Sequence, residues 1–135
     1  MHALNRYGPL AARILIAAIF VLSGFGKIGG FAGAVGYIAS KGLPLPQLAA
    51  VAAIIVELGG GLMLMLGWRA RWAAAALFFF TLMAAVIFHN FWAAAPDQAQ
   101  NQMIHFMKNI SMLGGLLMVI IHGSGPLRIE RSRRA

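Results

Sequence analysis

The chain has 135 residues, 61% of them hydrophobic and 10% charged, and a mean hydropathy of +0.80. Soluble domains average about 45–50% apolar and about 25% charged residues, so this composition leaves too little polar surface to coat a water-soluble globule and makes lipid the natural outer solvent. The lack of cysteine excludes disulfides, thiolate chemistry, zinc–thiolate centres and cysteine-held iron–sulfur clusters. The net charge of +8 would suggest a nucleic-acid partner in a soluble protein, but here the charge sits in short segments beside apolar runs, so no nucleic acid is expected.

Within a bilayer every backbone N–H and C=O must be bonded internally, and long unbroken apolar runs select helices over a barrel. The first run spans about residues 10–28, with Arg13 near its start and Lys27 near its end. A secretory signal also begins with basic residues, but this run is longer than a signal core and has no good small-x-small cleavage site before Lys27. The connection from Gly29 to Pro46 is part-apolar through Phe31, Val35, Tyr37 and Ile38, and predicts a short interfacial helix ending at Gly42. Pro44 and Pro46 stop it and lead into the second run, residues 47–66, whose one charge is Glu57. The segment from Gly67 to Arg71 reads as a tight turn. The third run, residues 72–93, is interrupted by Thr81, His89 and Asn90. A polar connection with Pro96 and Asp97 leads to the fourth, residues 103–121, with His105, Lys108 and Asn109 in its first two turns. Each run is close to the ~20 residues a span needs. The expectation is therefore an all-α, integral membrane four-helix bundle, antiparallel, forming one domain over residues 1–135 with a basic tail from 123.

Charge placement orients this bundle. Eight arginines lie in or beside the N-terminal segment, the second connection and the tail (Arg128, Arg131, Arg133 and Arg134), while Lys27, Lys41 and Lys108 lie toward the opposite face. The excess of basic residues marks the cytoplasmic side, so both termini are expected in the cytoplasm. Arg13, just inside that interface, is expected to snorkel its guanidinium toward water.

The polar residues in the spans are the candidate site. Depths inferred from this topology put Lys27, His89, Lys108 and Asn109 in one layer of the outer half, with Glu57 within reach below. An ionisable group at membrane depth costs about 2.5–3.5 kcal/mol on insertion scales, so Glu57 should pair with Lys27 or Lys108, and His89 and Asn109 can add hydrogen bonds. Such a network serves either to bind or move something or simply to fix helix register. His89, His105 and His122 have no spacing that builds a metal site on one helix, so no metal is expected. Small residues near the charges, Gly24, Gly26, Gly59 to Gly61, Gly114 and Gly115, suit close helix packing in lipid.

Several pieces in order resemble the DoxX family of small bacterial membrane proteins. They are Arg13 leading to Ser23-Gly24-Phe25-Gly26-Lys27, then Glu57-Leu58-Gly59-Gly60-Gly61-Leu62, Leu66-Gly67-Trp68-Arg69-Ala70-Arg71, and Lys108-Asn109 with Leu113-Gly114-Gly115-Leu116-Leu117. The resemblance implies a four-helix bundle in a bacterial inner membrane. It also implies links to redox metabolism, including thiosulfate oxidation with quinone as acceptor and membrane oxidoreductase complexes. The residues themselves carry no dinucleotide fingerprint and no clear haem pair. Three functions follow as expectations: an accessory subunit of a membrane redox complex, a quinone-binding subunit using Lys27, Glu57, His89 and Lys108, or a small-molecule transporter that would need a homo-oligomer.

Overall fold

The computed structural model describes residues 1–129; the expectations placed on Arg131, Arg133 and Arg134 lie outside the described residues. All regular structure among the described residues is helical. The long helices are α1 (His2–Gly29), α3 (Pro46–Leu66), α4 (Ala70–Phe88) and α5 (Pro96–His122), with the short α2 (Phe31–Ser40) between the first two. Four helical stretches, counting α4 with the turn after it, are long and apolar enough to cross a membrane.

Two helices, α1 and α5, outrun the apolar segments that announced them. Helix α1 begins at His2 rather than about residue 10, and α5 begins at Pro96 rather than 103. Hydropathy marks where lipid begins; intrahelical bonding continues into water until a capping or breaking residue intervenes. For α5 that residue is Pro96 at the first helical position, where its missing N–H costs nothing. Helix α4, expected to reach residue 93, stops at Phe88, and His89 and Asn90 lie in a break before a single 3-10 turn, Phe91–Ala93. Helix α2 ends at Ser40, two residues before Gly42, which takes a left-handed φ of 74°.

Helix α3 departs from α geometry in its middle. Ile55–Gly59 forms one π turn centred on Glu57. Such turns hold one extra residue in the helix and concentrate at functional sites. The three glycines that begin at Gly59 have no side chains to resist the rearrangement.

The spans are ordered around the bundle as α1, α3, α4, α5, with α2 packed chiefly on α3. Helices α1 and α3 meet backbone to backbone. A methyl group added at Gly24 would lie 2.9 Å from Leu58 Cβ and 3.0 Å from its backbone nitrogen, and one at Gly61 would lie 2.9 Å from Val21. In lipid, where no hydrophobic force draws helices together, such close approach is the main source of packing energy. The buried core of Ala17, Phe20, Leu64, Ala74, Leu77 and Leu116, with its neighbours, fills the bundle's middle and the end holding the arginines. Large apolar side chains such as Leu15, Leu22, Trp72 and Phe79 remain exposed around the outside, as suits contact with a bilayer.

At the arginine end the last four carbonyls of α3, which no helix can satisfy itself, are all bonded. Gly67, with φ 74°, closes a Schellman motif: Trp68 N donates to Met63 O and Gly67 N to Leu64 O. Arg13 then donates to Leu64 O at 2.9 Å and Met65 O at 3.0 Å, and Ile129 N donates to Leu66 O. Arg13 also donates to Leu127 O. The expected snorkelling of Arg13 is thus corrected: the side chain is 1% exposed and caps the negative end of α3. Arg71 donates to Ile121 O in the same region. The N-terminal helix, the second connection and the start of the tail therefore share one end of the molecule.

Candidate intramembrane binding cavity

At the opposite end, where the lysines lie, the bundle is hollow. A cavity of about 490 Å³ opens between all five helices. That falls within the ~300–1,000 Å³ typical of small-molecule sites. Its walls are mostly apolar, including Ile19, Phe20, Ile38, Phe80, Ile87 and Met112, and α2 with the following turn lies across its end through Ala34, Tyr37, Leu43 and Pro44. Tyr37 is tied to α4, its hydroxyl donating to Phe88 O at 3.4 Å and its ring 5.3 Å from that of Phe88.

The five residues singled out from the sequence, Lys27, Glu57, His89, Lys108 and Asn109, all line this cavity. The topology explains the convergence. Lys27 sits in the last turn of α1, Glu57 lies buried in the π turn of α3, His89 follows the end of α4, and Lys108 and Asn109 are neighbours on α5, the first exposed and the second buried. Glu57 is 4% exposed and pairs with Lys27 at 2.7 Å. Lys27 also donates to Ser23 Oγ, one turn earlier, at 2.7 Å. The pair resolves the choice between the two lysines: Lys27 neutralises Glu57, and Lys108 is left for other work.

His89 does not hydrogen-bond to Glu57. Its Nδ1 is 2.9 Å from Gln102 Oε1, and its ring stacks on His105 with centroids 5.1 Å apart. Lys108 Nζ is 3.3 Å from His105 Nδ1. Gln102, His105 and Lys108 follow one another at three-residue intervals on α5, a helical face legible in the sequence that draws Gln102 and His105 toward the site. Sequence reasoning also passed over Thr81. It is 1% exposed, lines the cavity, and its hydroxyl has no hydrogen-bond partner among the described residues. A buried hydroxyl usually finds a partner, so this one is available to a molecule in the cavity. No cluster of three or more metal-ligating side chains occurs among the described residues.

Four spanning helices around a mostly apolar hollow with a few convergent polar side chains define a helical membrane protein with an intramembrane cavity. The chain belongs to the DoxX family, which it matches over residues 8–90. It is similar to inner membrane protein YphA of Escherichia coli (strain K12), with 40% identity over 122 residues covering 90% of this chain and 87% of that protein. It is also similar to inner membrane protein YqjF of the same organism, with 38% identity over 131 residues covering 97% of this chain and 95% of that protein. No solved structure matches the chain.

Proposed function

We propose that this DoxX-family protein is a ligand-binding subunit of the inner membrane, both termini cytoplasmic, whose cavity holds the head of a quinone on behalf of a membrane redox complex. The observation that carries this reading is the convergence of Lys27, Glu57, His89, Lys108 and Asn109 on one mostly apolar cavity. The residues fit such a head: apolar walls suit a flat ring, and the orphaned Thr81 hydroxyl and the Lys108 ammonium are donors for its oxygens. A bound quinone would supply reversible two-electron, two-proton chemistry, with electrons passing to or from a partner subunit. The chain's own residues bind and orient the head. The Lys27–Glu57 pair fixes both side chains at the cavity wall, and α2 screens the cavity end from water.

Native mass spectrometry of the protein extracted in mild detergent tests this. The expected result is a quinone adduct on the wild type that is depleted in Thr81→Val. One lost hydrogen bond is worth about 0.5–1.5 kcal/mol, so retention should fall several-fold while the unliganded protein, relieved of a buried unpaired hydroxyl, is no less stable. A wild type that carries no quinone, even after incubation with one, would overturn the reading.

A further inference from the structure

The cavity carries an unbalanced charge. Lys27 and Glu57 cancel each other. Asp97, the other carboxylate among the described residues, lies in the first turn of α5, and the side-chain partner of Lys108 is the His105 ring, which brings no negative charge. Lys108 therefore brings a cation to the cavity wall with no anion to meet it. The Thr81 hydroxyl, deeper in the same cavity, is also unpartnered. Both donors suit an oxygen, and the lysine suits a charged one.

The cavity also has a side. Helices α1 and α5 make the sparsest contact of any neighbouring spans. Where they do meet, Ile16 lies against Gly115, on the arginine side of the cavity. Beyond that point Ile19, Ser23 and Lys27 of α1 and Lys108 and Met112 of α5 line the hollow. Ile19 and Lys108 are exposed at its edge.

We propose that the seam between α1 and α5 is a lateral mouth to the bilayer, and that the site selects an amphiphile carrying one negatively charged oxygen group. Lys108 receives the charge at the mouth, Thr81 donates to a second oxygen within, and the apolar chain lies along the seam in lipid. This rests on the reading of the cavity as a binding site and gives it a second class of occupant, an anionic amphiphile, beside the neutral quinone head. The same chemistry is offered by a free single-chain acid and by the headgroup of an anionic lipid.

Matched probes test the proposal: spin-labelled stearic acid and its methyl ester, with the protein in phosphatidylcholine nanodiscs at a pH where the acid is ionised. The immobilised fraction is read by electron paramagnetic resonance. The acid should bind at least about tenfold tighter than the ester, and in Lys108→Gln, with helix content checked by circular dichroism, the ratio should fall to about one. Equal binding of acid and ester to the wild type, or a ratio untouched by Lys108→Gln, overturns the charge preference while leaving the binding cavity standing. If neither probe is immobilised, the present proposal falls, while the quinone reading stands or falls on its own mass-spectrometric test. Displacement of the bound acid in phosphatidylglycerol nanodiscs supports the proposal and identifies a lipid headgroup as the occupant; persistence supports it and identifies a free amphiphile.

Discussion

Arg13 shows how far a single residue can depart from the role its type suggests. A lone arginine at the edge of an apolar run reads as a side chain reaching for water. Here it turns inward, because the carbonyls at the end of α3 offer an anionic partner and the close α1–α3 approach leaves the guanidinium within reach. Nothing in the sequence near Arg13 announces those acceptors, which lie 51 and 52 positions away. Hydrogen bonds to charged groups contribute about 1.5–3 kcal/mol each. Replacing Arg13 by Met should therefore destabilise the protein by at least that order, lowering the thermal midpoint in detergent. It should also speed tryptic cleavage after Arg128, since the bond that ties down the backbone at Leu127 is lost. The Lys27–Glu57 pair was more legible. Glu57 is the sole carboxylate in the apolar runs, and an unpaired one is too costly to leave, so only the choice of lysine waited for the structure. Thr81 was illegible because a hydroxyl in a span usually bonds its own helix, and its want of a partner is a fact of three dimensions.

Among the elements, α3 holds most of what hydropathy could not convey. A window of apolar residues has no means of distinguishing a π turn from an α turn, since both bury the same side chains. The run of glycines after Glu57 is the one local sign of it, and it reads equally well as packing. Both meanings apply: Gly60 and Gly61 are buried against α4 and α1, while Gly59 lies within the π turn. The α1–α3 contact at Gly24 makes a direct test. A side chain there meets Leu58 backbone atoms that have nowhere to move. Gly24→Val should cost about 1–3 kcal/mol or more, the usual range for overpacking. Because it pushes α1 from α3 one turn from Lys27, it should also loosen the Lys27–Glu57 pair. Thermal unfolding gives the first effect. The second is read by a double-mutant comparison with Glu57→Gln, where the two substitutions should be less than additive.

For the whole molecule, the four-helix architecture was readable because in lipid the outer surface must be apolar and the backbone must bond itself, so composition and run length settle the element type. The helix ends were not, since they are fixed by caps and breaks such as Pro96 and His89 rather than by hydropathy. The clustering of arginine segments at one end carries a prediction about orientation. A fluorescent protein fused after Ala135 should fluoresce, and alkaline phosphatase at the same place should be inactive. The reverse pattern would place the arginine end outside.

The two ends of the bundle are also unequal mechanically. Where the carbonyls of α3, the Arg13 side chain and the small buried residues interlock, the helices are clamped. Where the cavity lies, each helix has fewer neighbours to resist its displacement. A rod fixed at one end and free at the other bends most at its free end, and local opening follows the regions of sparse packing. Any parting of the helices that admits a molecule therefore falls at the cavity end, while the arginine end, and with it the fold, stays shut.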